Sequence, residues 1–358
     1  SEELLRRSQE NRGLTRPELA ILIAYAKMAL YSKIIDSDVP EDPYLGHELE
    51  RYFPALMQKR FGKYLPEHRL RREIIATATT NSIVNRMGPT FARRVQEDTG
   101  ADAGTIARAY AIAREVVSMR DTWADIEALD TKISAAVQYE MMFETTRLLR
   151  FCTYWFIHRQ TTGERSKLDI ESQVSRFRSG LKEIDGLLPR VLSGADLTVF
   201  NNRNGRYIAA AVPEKLAKRM ASLAALRSGL DLVEIGEQTE LPLDTAAQLY
   251  FGVGTALSLD WIRDQVEMLG VEGHWQAVAR TTLRDNVYNL QRALCLQVVA
   301  ESKSSRKAKA ASTPAEALEN WMNRHRAAVD YLRQTVNDMR ALPAMDFASM
   351  TSAPDLSA

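Results

Sequence analysis

Glycine and proline in this 358-residue chain fall mostly at the edges of apolar runs whose members recur every three or four residues. That arrangement constrains the fold more than any other feature, because Gly and Pro punctuate helices and the three-to-four spacing marks one helical face. Convincing strict alternation, the mark of a half-buried strand, is nearly absent. Helices are expected from about Thr15 to Asp36, Glu48 to Phe61, Pro66 to Met87, Pro89 to Asp98, Ala103 to Met119 and Asp121 to Leu129. A longer one is expected from Asp130 to about Gln160, with Ile133, Val137, Met141, Leu148, Phe151 and Trp155 on one stripe. Thirty residues of helix would be roughly 45 Å long, enough to act as a spine.

The second half repeats the pattern at Asp169 to Val191, Ala195 to Ala211, Pro213 to Leu226, Pro242 to Ala256, Leu259 to Leu269 and His274 to Ala300, with a last helix from Thr313 to about Ala341. The expected fold is therefore all-α: a multi-helix bundle with one long central helix and no Rossmann sheet. Two helical subdomains are expected, 1–160 and 169–341, joined by a polar, Gly-bearing connection at 161–168. A mobile loop is expected at 302–312, where Ser302 to Ala310 is basic and poor in apolar residues. The stretch 342–358, with Pro343 and Pro354, reads as a tail.

The most complete local signal is Leu14-Thr15-Arg16-Pro17-Glu18-Leu19 and the run that follows to Lys27. Thr15 and Glu18 have capping-box spacing, Leu14 and Leu19 that of a hydrophobic staple, and Pro17 sits in the first turn, where its missing N–H costs nothing. Leu19 to Ala26 is too short to span a bilayer, and an ordinary core helix accounts for it. Thr313, Pro314 and Glu316 form a second such start.

Hydrophobic content of 45% and charge of 26% are those of an ordinary globular protein. A formal net charge of +1 gives no reason to expect nucleic acid or an anionic membrane as partner. Cys152 and Cys295 lie in apolar helical patterns and read as buried thiols in a reducing compartment. With no signal peptide or membrane span in view, a cytoplasmic location is expected. The chain opens Ser1-Glu2-Glu3 without Met, which fits a piece of a longer polypeptide.

No motif here carries recognisable catalysis. Gly252-Val253-Gly254-Thr255-Ala256-Leu257 begins like a dinucleotide loop, but Leu257 stands where the third glycine belongs and the preceding residues read as helix rather than strand. A glycine-mediated helix ending is the better reading. Glu140, Glu144 and Arg147 share a face of the long helix. Di-metal bundle chemistry would need a Glu-x-x-His partner that does not occur, so Glu144 is expected in a structural ion pair. His47, His68, His158, His274 and His325 show no helical zinc spacing. Ser302 to Ala310 lacks the interleaved aromatics of a nucleic-acid binder and reads as a solvated loop. His68-Arg69-Leu70-Arg71-Arg72-Glu73, with Asn81, Asn85 and Arg86, gives a polar helix face, either solvated or turned toward another domain's acidic groups. The expectation is that no catalytic, cofactor-binding or metal residue lies in the chain.

The Leu14 to Lys27 block, Asp42-Pro43-Tyr44-Leu45, Tyr52-Phe53-Pro54, His68 to Thr77, Asn85-Arg86-Met87-Gly88-Pro89-Thr90-Phe91, Arg108-Ala109-Tyr110, Leu129-Asp130 and Arg147-Leu148 together resemble the C-terminal helical region of the large bacterial NAD-specific glutamate dehydrogenases. The likeness is strong over about 11–160 and looser over 161–340, where Tyr250-Phe251 and Leu259-Asp260-Trp261 still match. It implies a parent oxidoreductase that converts L-glutamate, NAD and water to 2-oxoglutarate, ammonia and NADH, with the catalytic lysine and the NAD domain upstream. It also implies the catalytic domain of the same polypeptide as partner, within a homo-oligomer. A free-standing helical interaction module and a metal-dependent helical-bundle enzyme are the alternative classes.

Overall fold

The computed structural model describes residues 2–162, 168–304, 313–342, 345–347 and 350. Among these residues every regular element is a helix, and the fold is all-α with no Rossmann sheet. The expected connection 161–168, loop 302–312 and tail 342–358 fall largely outside the described residues.

In chain order the helices are α1 (Glu2–Gln9), α2 (Arg16–Ile35), α3 (Gly46–Tyr52), α4 (Ala55–Phe61), α5 (Arg71–Met87), α6 (Phe91–Thr99), α7 (Ala103–Val116), α8 (Met119–Glu127) and the long α9 (Ala135–Thr162). They continue with α10 (Ile170–Val191), α11 (Gly194–Ala209), α12 (Glu214–Ser222), α13 (Gly229–Thr239), α14 (Leu243–Ala256), α15 (Leu259–Met268), α16 (His274–Ser304), α17 (Pro314–Arg324) and α18 (Arg326–Arg340). They fall into two compact units, Ser1–Glu115 with Leu149–Ser175, and Val116–Leu148 with Arg176–Ala358. Each unit draws on two stretches of chain, unlike the single cut at 161–168 expected from the sequence. The long helix α9 contributes its residues up to Leu148 to the second unit and those from Leu149 to the first.

In the first unit α5 is the hub, packed against α2, α3 and α6. Its Ile75, Ala76, Ile83 and Val84 join Leu30 and Ile34 of α2 and Leu49 of α3 in the core. Helix α7 is rich in alanine, and Ala107, Ala109, Ala111 and Ala113 are buried, since a methyl lets neighbouring backbones approach on every side. In the second unit α14 is the hub and packs on α13, α15, α16 and α17. Here glycine makes room: a Cβ on Gly229 would stand 2.5 Å from Leu181, and one on Gly180 would stand 2.8 Å from Val233. Helices α10 and α13 therefore meet through two reciprocal glycine contacts.

Several element boundaries differ from the sequence expectation for identifiable reasons. The run from Glu48 to Phe61 breaks at Phe53-Pro54, both extended (ψ 146 at each), because Pro54 lacks the N–H needed to continue α3 and instead starts α4. Pro66 lies in a 3₁₀ turn (Gly62–Glu67), and the α-helix starts only at Arg71. The long helix starts at Ala135 rather than Asp130, because Asp130 accepts the Thr131 N–H in a turn that holds Thr131 at φ 63. The last helix divides at His325, with φ −102 and ψ 28. Helices α1 and α13 were not anticipated. α13 is buried on nearly every side, its polar residues Asp231 and Glu234 included.

Candidate functional site

The buried charges come first, because an unpartnered one would mark chemistry. In the first unit Arg108 donates to Asp38 (2.8 Å) and Asp42 (3.1 Å), and Arg114 to Glu48 (2.6 Å), Glu115 (3.0 Å) and Ser82 (3.2 Å). Both guanidiniums are 2% exposed. In the second unit Arg263 grips both oxygens of Asp196 at 2.7 Å and donates to Gln291 (3.2 Å), whose amide in turn donates to the Tyr250 carbonyl at 2.9 Å. Burial opposes the Arg263 charge, but Tyr288, Asp196 and Tyr250 outweigh it and raise its pKa. Asp260 accepts the Ala195 N–H at the first turn of α11, where a carboxylate also suits the helix dipole. Each of these arginines meets a carboxylate, while Asp260 is held by the backbone N–H groups of Ala195 and Trp261.

The residues singled out in the sequence find equally structural places. Glu144 is buried and held by Arg203 at 2.8 Å and by Arg147, the ion pair expected of it. Glu140 accepts from Tyr207 and Arg206, and burial with the Glu140 charge pushes Tyr207 up to about 12. Gly252 and Gly254 lie inside α14, not at its ending as expected. Gly254 is a packing glycine, for a Cβ there would stand 2.6 Å from the Gln291 amide nitrogen.

The histidines stay apart. His68 Nδ1 accepts the Leu70 N–H, His158 stands edge-on to Tyr154, and His325 contacts Glu301 at 2.8 Å. His47 lies 3.9 Å from Glu50, and His274 opens α16. Among the described residues no group of three or more His, Cys, Asp or Glu side chains could hold a metal. On the polar face of α5, Arg71 and Arg72 both engage Glu41, and Arg72 also donates to the Ile35 carbonyl at the end of α2. Arg71 and then Arg72 hold the Glu41 carboxyl below its usual range.

What stands out is an apolar surface. Helix α2 begins as its sequence dictates: Glu18 accepts from both the Thr15 N–H and the Thr15 hydroxyl at 2.8 Å, and Arg7 adds two contacts at 2.8 Å. Those hydrogen bonds, the Thr15 backbone first, lower Glu18 to about 2. The helix is apolar nearly all round, yet only Leu30 and Ile34 are buried. Ile21 (57% exposed), Tyr25 (64%) and Met28 (63%) point the other way, by the 100° step of an α-helix, and Leu22 on the flank is also exposed. The first half of α2 is thus not the core helix expected of it. Helix α4 has no buried residue at all, and Leu56, Met57 and Phe61 are exposed. Burying one such side chain is worth about 1.5–3 kcal/mol, and monomers rarely leave a large apolar patch uncovered. Beside the inner side of α2 lies a cleft of about 250 Å³ lined by Leu30, Ile83, Val84, Pro89 and Ile106. Sequence reasoning singled out this stretch as a helix start but missed it as a surface.

Comparison with known proteins places these features. A family model described as "Glutamate dehydrogenase, C-terminal" matches residues 11–354. The chain is 38% identical over 324 residues to an NAD-specific glutamate dehydrogenase of Halomonas elongata, covering 90% of this chain and 19% of that protein. It is 35% identical over 347 residues to one of Pseudomonas aeruginosa, covering 97% and 21%. It is also 27% identical over 351 residues to one of Mycobacterium tuberculosis, covering 98% and 21%. The chain therefore spans about a fifth of the length of the relatives it matches, and it belongs to the glutamate dehydrogenase C-terminal family.

Proposed function

We propose that this chain is the C-terminal helical domain of an NAD-specific glutamate dehydrogenase and that it serves structure or regulation rather than the hydride transfer. In this reading the parent enzyme takes L-glutamate, NAD and water to 2-oxoglutarate, ammonia and NADH, a step of amino-acid catabolism. It works as a cytoplasmic homo-oligomer, with NAD held by the upstream part of the polypeptide. The domain's partner is the catalytic part of the same chain. Hydride transfer needs a nucleotide cradle and a poised acid or base.

The observation that supports the structural role is the fate of the buried charges. Arg108, Arg114, Glu144 and Arg263 are each closed into ion pairs within their own unit, the form of groups that hold a fold together. The test is direct. The purified 358-residue chain, given L-glutamate and NAD, is expected to form no NADH by absorbance and to leave NADH fluorescence unchanged on titration. Turnover above the protein-free blank overturns the proposal.

A further inference from the structure

We infer that the outward face of α2, carried by Ile21, Tyr25 and Met28, is the seat of the polypeptide that precedes the matched stretch in the longer relatives. The inference rests on the reading above, that this chain is the C-terminal part of such an enzyme. Three observations converge on it. The face is apolar and points away from the residues that anchor α2 to its own unit, Leu30 and Ile34. It is also rigidly presented, because Glu18 closes the first turn of α2 onto Thr15, while Leu30 and Ile34 hold its other end.

The third observation concerns the occupant. About four-fifths of each relative lies outside the match, which covers 19% of one and 21% of the others, and the family model is that of the C-terminal region. The missing mass therefore precedes α2 in sequence. Helix α1 runs into that side, and Arg7 is pinned to Glu18 at 2.8 Å, which keeps the approaching chain beside the first turn of α2. A segment tethered there meets the face at a high effective concentration, so a modest apolar area suffices to hold it. Contact with the folded upstream part would bury Tyr25 and its neighbours as a protein core buries them, in line with the family's use of one long polypeptide.

Hydrogen exchange on the full-length enzyme and on the 358-residue chain tests this. In the full-length enzyme the α2 amides from Leu19 to Met28 are expected to exchange at least ~10-fold more slowly than in the shorter chain. The double substitution Ile21→Glu and Tyr25→Glu should return the full-length rates to those of the shorter chain, while the melting temperature of the shorter chain stays unchanged because both side chains are exposed there. Equal rates in the two proteins overturn the inference. So does a shorter chain that sediments as a dimer and is made monomeric by the same double substitution, since a second copy would then be the occupant. Glutamate turnover by the shorter chain would defeat the reading of function without altering the exchange result, so the two failures can be told apart.

Discussion

At the residue scale the molecule depends on a few buried arginines, and their environments differ enough to predict from. Arg263 is 7% exposed and holds Asp196 in a bidentate pair, with Gln291 as third partner. Arg263→Met should leave the Asp196 carboxylate unpaired and cost about 3–5 kcal/mol in urea unfolding. Arg93→Met, at a pair with Glu97 whose arginine is 73% exposed, should cost less than about 1 kcal/mol in the same assay. Tyr207 gives a pH signature. Burial and Glu140 push it up to about 12, so the unfolded chain, with a tyrosine pKa of ~10, loses that proton first. Its stabilising effect is complete below pH ~10 and is lost as pH rises toward about 12. Between about pH 8 and about pH 11, Tyr207→Phe should therefore lose less stability than the parent protein, as read from denaturant midpoints.

At the element scale, legibility followed the type of helix. Those with marked ends were readable: α2, α10, α14 and α15 begin and end within two residues of expectation. Helix α17 starts from Thr313, with the Glu316 N–H donating to the Thr313 hydroxyl at 3.3 Å and the Thr313 N–H to the Glu316 carboxylate at 2.9 Å. Thr313→Ala is expected to cost about 1 kcal/mol, measurable as a lowered denaturation midpoint. Helix α13 was not expected, although Asp231, Glu234, Glu237 and Gln238 recur at helical spacing in its sequence. The break at His325 was hidden because the apolar spacing of α17 and α18 runs on across it, and the kink is a backbone event at one residue.

At the scale of the whole molecule, each unit carries one cysteine as its own reporter. Cys152 belongs to the first unit and Cys295 to the second, and both are fully buried. Burial alone pushes the Cys295 thiol up to about 12, so it holds almost no thiolate at neutral pH. Single-cysteine variants, Cys152→Ala and Cys295→Ala, should each resist a disulfide reagent until urea opens the unit that keeps its thiol. Labelling that precedes loss of helix would mark local opening of that unit. Glu140, Glu144, Arg108, Arg114 and Arg263 are, at this scale, ties within each unit.

The amino-acid sequence by itself determined that this protein is helical, where most of its helices start and stop, and which family it belongs to. Caps, prolines and apolar periods are local properties, readable from neighbours a few residues apart. Only the tertiary structure decided which apolar surfaces are spent and which are left over. As text Leu19 to Met28 is more apolar than Leu30 to Ile34, which carries Ser32 and Lys33, yet Ile34 is sealed in the core while Tyr25 stands in the open. Hydrophobicity says that a face gains by burial but is non-directional and names no partner, and the partner is set by packing between residues far apart in the chain.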